Sequence, residues 1–175
     1  MNPLVTSIGG HRPELAADVF VAPTAVVAGR VRIGAASSVW YGSVLRAEDE
    51  KVVVGAQCNV QDGSILHADP GFPCVLGDRV SLGHRAVVHG ALVADDVLVG
   101  MGAVVLNGTR IGSWSIVAAG AVLRPGLEVP DGVLVAGVPA KVVRAVSEDE
   151  RNLIRHTATA YLLKSALHRD ALGSG

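Results

Sequence analysis

Residues 83–90, GHRAVVHG, set two histidines five positions apart in a chain rich in valine, glycine and alanine. A third, His67, precedes them, and no other histidine lies between residues 12 and 155. Imidazole is a common zinc ligand, and three histidines with one open position form the arrangement that activates water. His67, His84 and His89 are therefore candidate ligands of a catalytic metal. The plainer alternative is a ladder of surface histidines. His11, His156 and His168 stand outside this cluster and receive no role.

Side chains so far apart in sequence need a scaffold to position them, and a six-residue period supplies it. Aliphatic residues recur as Val21, Val27, Ile33, Val39 and Leu45, then as Val54, Val60 and Leu66, then as Leu76, Leu82 and Val88. An uninterrupted run follows at Val93, Val99, Val105, Ile111, Val117, Leu123, Val129 and Val135. A period of six fits neither an amphipathic helix nor a long alternating strand; it is the repeat of a parallel β-helix, three repeats to a triangular coil. The next position is mostly Gly, Ala or Pro, which suggests tight corners needing the conformational freedom of glycine. The exceptions include Arg46, Gln61, His67 and His89.

Every break in the frame follows the second repeat of a coil, after Leu45, Leu66 and Val88. One edge of the prism is thus irregular over three coils. Strands stack about 4.8 Å apart, so Arg46, His67 and His89 should form one column at that edge. His84 lies one face earlier and cannot easily join them. A neighbouring subunit could bring it, and three-fold packing would then give three equivalent sites.

The bulk properties agree with a narrow repetitive core. The 175 residues contain only two each of Phe, Trp and Tyr, so rings contribute little core volume. The formal charge of −1 gives no field to recruit nucleic acid or an anionic membrane. Apolar runs end well short of the ~18 residues of a membrane span. Two cysteines make no disulfide framework, Cys58 and Cys74 are expected to be packing residues, and the N-terminus has no signal-peptide pattern, so a cytoplasmic location is expected. The expected organisation is a β-helix domain over residues 1–146 and a C-terminal segment over 147–175. Ser147 and Glu150 have capping-box spacing and start a helix predicted to run to about His168, with Leu153, Ile154, Tyr161, Leu163 and Leu167 as its apolar stripe. The tail LGSG should fray.

The stretches LRAEDEKVVVGAQCNVQDGSILH and LGDRVSLGHRAVVHG, with VLVGMGAVVLNGTRIGSWSIVAAGAVL and AGVPAKVVR after them, resemble the γ-class carbonic anhydrase family over almost the whole chain. The resemblance implies an all-β solenoid, a left-handed parallel β-helix with a C-terminal α-helix packed against it, assembled as a homotrimer. It implies that His67 and His89 bind the metal (Zn2+, with Fe2+ or Co2+ as alternatives) from one subunit and His84 from the next. Gln61, beside Asn59, would orient hydroxide or bicarbonate, Arg46 and Asp62 would form a supporting ion pair, and Asp49 matches a proton-shuttle position.

The implied reaction is reversible hydration of carbon dioxide to bicarbonate, in which the metal lowers the pKa of its water from about 15.7 towards ~7. Two departures from the family are visible. Glu48 stands where the family has aspartate, and the loop between the first and second histidines lacks the longer acidic segment that shuttles protons. Activity could accordingly be low. Two other readings fit the same repeat: an acyltransferase or acyl-CoA thioesterase-like enzyme, and a non-catalytic trimeric metal-binding scaffold.

Overall fold

The computed structural model describes residues 3–173. Nearly all its strands are short and parallel, and each pairs with the equivalent strand of the next coil, so the chain winds a three-sided prism. The inward residues form three ladders. One runs Val27, Leu45, Leu66, Val88, Val105, Leu123 along the first face. The second runs Ile33, Val54, Leu76, Val93, Ile111, Val129, and the third Val39, Val60, Leu82, Val99, Val117, Val135. All eighteen are buried; Val21, in the outermost part of the third ladder, is half-buried. The six-residue period is therefore the core of the fold. The architecture is the left-handed β-helix of hexapeptide repeats.

The small residues after the aliphatic positions have a different cause from the one expected. None of them has a positive φ. A side chain at Gly34 would meet the Gly55 carbonyl carbon at 2.7 Å, and one at Gly83 the Met101 nitrogen at 2.7 Å. Close stacking of coils, not corner dihedrals, excludes a Cβ there. The left-handed conformation falls later in each corner, at Gly63, Gly90 and Gly108 and at non-glycine residues such as Gln57, Arg79 and Asp96.

The prism ends where Val133–Gly137 pairs antiparallel with Ala140–Ala145. The helix then runs Glu148–Gly173, five residues longer than predicted, so the Leu172–Gly173 part of the tail is helical while 174–175 lie outside the described residues. Its start is a capping box: Glu150 N–H donates to Ser147 Oγ at 3.2 Å and Ser147 N–H donates to Glu150 Oε2 at 2.9 Å. The Arg144 guanidinium beside Glu150, with that N–H, pulls the carboxyl down to about 2.

The buried stripe of the helix is Ile154, Ala158, Tyr161 and Ser165. Of the expected residues, Leu153, Leu163 and Leu167 are exposed, because at ~100° per residue they rotate away from the Ile154–Tyr161 line. Ile154 seats against Ile116 and Val146, and Tyr161 meets Trp40 edge-on at 5.2 Å. The helix thereby covers the third face. Both thiols are buried, and desolvation pushes Cys58 and Cys74 up to about 12, as befits packing residues. Among the described residues no helix is long and apolar enough to cross a membrane.

The first face differs from the others on its outer side. Val26, Val44, Ile65, Val87, Val104 and Val122 are in register there. They are half-buried, and Ile65 is 42% exposed. Six β-branched aliphatics in one outward ladder form an apolar strip on a surface the helix does not cover.

Candidate metal centre

The frame breaks put extra chain at the edge between the first and second faces. There Val44–Val54 is a single strand that turns the edge, and its residues Glu48–Lys51 bulge out opposite Arg30. In the next coil the chain loops through Asp69–Phe72, closed by a hydrogen bond of 2.8 Å from Phe72 N–H to the Asp69 carbonyl. The register places Arg46 opposite His67 and His67 opposite His89, the column expected from the repeat.

His67 Nδ1 and His89 Nε2 face each other at 2.9 Å. Asp69 Oδ1 lies 3.9 Å from the first and 3.7 Å from the second. Two imidazole nitrogens and a carboxylate thus converge within 4.8 Å, a donor set suited to a divalent transition metal. Asp69 was not singled out in the sequence; its signal is the spacing from His67 in the turn ADPG.

The hydrogen bonds around the cluster fix which nitrogen offers its lone pair. Asp69 Oδ2 can only accept, so the amide of Asn107 at 2.8 Å must turn its NH2 towards it. The Asn107 carbonyl then faces His89 Nδ1 at 2.7 Å, and Nδ1 carries the proton. Nε2 of His89 is left bare towards the cluster, as metal ligation requires. On the other ring, His67 Nε2 meets Glu48 Oε2 at 3.3 Å, and Glu48 is itself held by Arg46. Burial, with Arg46 and His89 nearby, lowers the His67 pKa, which favours the neutral ligand form.

Asn107 is the second residue that pattern reading missed. Its Asn-Gly pair is an ordinary turn signal, and only the stacking of coils carries its side chain to His89. Replacing Asn107 with leucine should weaken metal binding by about 10–100-fold, in line with other residues that orient ligands. Competition with a chromogenic chelator measures it.

The remaining candidates lie on a different edge. His84 and Asp62 belong to the corner between the third and first faces, where Arg85 N–H donates to the Asp62 carbonyl at 2.9 Å. Four residues lie between His84 and His89: His84 and Arg85 form the turn at one corner, and the strand Val87–His89 then crosses the first face to the other. His84 Nδ1 meets Asp62 Oδ2 at 2.9 Å, which leaves its Nε2 free on a ring 44% exposed. Gln61 is buried on the same edge and donates to Asn59 Oδ1 at 2.9 Å, and Asn59 donates to Ser81 Oγ at 2.7 Å. Arg46 and Asp62 consequently make no ion pair within the chain; their partners are Glu48 and His84. Asp49 is exposed on the bulge, and its main-chain carbonyl accepts from Arg30 at 3.4 Å.

The sequence has close relatives. Residues 90–125 match the family described as bacterial transferase hexapeptide (six repeats). A mitochondrial γ carbonic anhydrase 2 of Arabidopsis thaliana is 39% identical over 162 residues, covering 89% of this chain and 58% of that protein. A carbonic anhydrase of Geobacillus kaustophilus is 35% identical over 160 residues, covering 91% of this chain and 88% of that one. The crystal structure of a hexapeptide transferase family protein from Anaplasma phagocytophilum superposes with a TM-score of 0.90 at 33% identity, over 93% of this chain and 96% of that one. The chain thus spans somewhat over half the length of the plant relative.

Proposed function

Because the chain belongs to the hexapeptide-repeat, left-handed β-helix family that includes the γ carbonic anhydrases, we propose that it is a metal-dependent enzyme hydrating carbon dioxide reversibly to bicarbonate. One observation carries the reading. Each of the three histidines has a ring nitrogen backed by an acceptor oxygen, from Glu48, Asp62 and Asn107 respectively, so each can turn a lone pair outwards.

His67 and His89 would hold the metal from one subunit and His84 from the next. A homotrimer is the natural partner arrangement. Its support is the apolar ladder on the first face, which separates the two half-sites: packing this face about a three-fold axis buries the ladder and brings the His84 edge of one chain to the His67 edge of its neighbour. Zinc suits this ligand set, and so do ferrous iron and cobalt. Such a metal supplies a water acidic enough to ionise near neutral pH.

The protein's own groups supply orientation. Asp62 keeps His84 in one tautomer, and Asn107 does the same for His89. Gln61 and Asn59 would arrive with His84 from the neighbour, where a neutral amide can donate to one oxygen and accept from another without quenching a nucleophile. Asp49 stands on the exposed bulge next to Glu48, where a carboxylate can pass a proton to solvent. These roles rest on the family resemblance together with the placement of the residues.

The test is metal content and carbon dioxide hydration on anaerobically purified protein. We expect about one ion per chain and hydration that is lost on chelation and restored by metal. Bound metal without hydration would shift the assignment to acyl-thioester chemistry or to a metal-stabilised scaffold.

A further inference from the structure

The edge that carries the metal cluster continues into the first coils, and there it changes sign. Arg12, Arg30 and Lys51 come from its first three coils, and Arg32 projects beside them from the second face. All four line one depression of about 320 Å³. Glu14, next to Arg32 in register, is the one carboxylate among the described residues lining it. Four cations against one anion is a sharp local excess in a chain whose formal charge is −1.

The excess is not neutralised within the fold. Among the described residues the Arg12, Arg32 and Lys51 side chains have no ion pair or hydrogen bond, and Arg30 reaches only the Asp49 carbonyl at 3.4 Å. Several arginines elsewhere in the chain grip a neighbouring carboxylate, while Arg85, Arg110 and Arg124, unpaired among the described residues, do not share a depression with another lysine or arginine. Arg79 grips Asp96 with two bonds of 2.7 and 2.8 Å, and Arg144 grips Glu150 likewise. Like charges on neighbouring strands repel, so a converging unpaired cluster in a concavity is best satisfied by a polyanion.

We infer that this depression is a second ligand site, separate from the metal centre, for a phosphate-class dianion. Guanidinium forks match tetrahedral oxyanions bidentately, and Lys51 adds a point charge. Three guanidiniums exceed what a monovalent anion such as bicarbonate can use. The site also shares a segment with the metal centre. Glu48 at one end of the bulge touches His67, Lys51 at the other end lines the depression, and Arg30 holds the Asp49 carbonyl between them.

Equilibrium dialysis with inorganic phosphate and with pyrophosphate tests this, at about 0.1 M chloride so that charges more than ~10 Å apart are screened. We expect saturable binding with one site per chain. Arg12→Gln and Arg32→Gln should each weaken it about tenfold with unchanged circular dichroism. Arg124→Gln, an exposed arginine of the same edge several coils away, and His89→Ala should leave it unchanged. Tighter binding of pyrophosphate assigns a diphosphate ligand, and tighter binding of phosphate a monoester. Three results would overturn the inference: no saturable binding of either probe, equal weakening by Arg124→Gln, or loss in His89→Ala with Arg32→Gln unaffected, which would put the anion on the metal centre.

Discussion

Mixed assemblies co-expressed from His84→Ala and His89→Ala chains are expected to regain the metal binding and carbon dioxide hydration that each variant alone should lack. Each variant destroys a different half of the proposed site. A His84→Ala chain keeps His67 and His89, and a His89→Ala chain keeps His84. Wherever the first presents its pair to the second, an intact site forms. Random assembly of equal amounts leaves about a quarter of the sites intact, since each site draws independently on two chains. Activity of the mixture near a quarter of wild type, with metal content to match, is the expected reading.

The same experiment separates His84 from Asp69 as third ligand. Within one chain Asp69 Oδ1 already lies 3.7–3.9 Å from the two facing imidazole nitrogens, whereas His84 stands on another edge. If Asp69 alone completes the site, His84→Ala retains metal, Asp69→Asn loses it, and mixing restores nothing beyond what each parent shows. That outcome would leave the inter-subunit assignment without support.

Placing a charge on the first face should have an effect as large. Val104 belongs to the outward aliphatic ladder, one coil beyond Val87, and its side chain is only half-buried in the single chain. Val104→Glu leaves the inward neighbour Val105 and its core contacts untouched. In the proposed trimer it would desolvate three like charges close together, and each buried unpaired charge costs several kcal/mol. Light scattering should report monomers with an unaltered circular dichroism spectrum, and hydration should fall to background because no His84 reaches a His67–His89 pair. A trimeric, active Val104→Glu protein would place the subunit contact on another face.

The glycines show where sequence logic reached a right conclusion by a wrong route. Small residues after each aliphatic position do mark corners, yet Gly34 and Gly83 are small because the next coil's backbone lies where a Cβ would go. Their φ angles are ordinary. Contact between coils eighteen or more residues apart leaves no local trace that separates crowding from conformational need. The helix carries the same lesson. The Ser147–Glu150 box is local and was readable, whereas the buried face, Ile154–Ala158–Tyr161–Ser165, was set by what the third face offers. The exposed leucines were the more hydrophobic choice, and small Ala158 and Ser165 permit the closer approach.

The sequence by itself determined the solenoid, its irregular edge and the column of Arg46, His67 and His89. A strict period of six fixes which residues face inwards, and a break in that period fixes where chain must leave the prism. Only the tertiary structure decided the rest of the centre. Asp69 reaches the cluster because the loop after His67 folds back, and Asn107 reaches His89 because its coil stacks on the neighbouring one, eighteen residues away. Which imidazole nitrogen is bare depends on those two contacts. It also depends on Glu48 and Asp62, whose carboxylates lie opposite His67 and His84. Hydrogen-bond direction is a property of groups brought together by stacking, so no spacing along the chain can encode it alone.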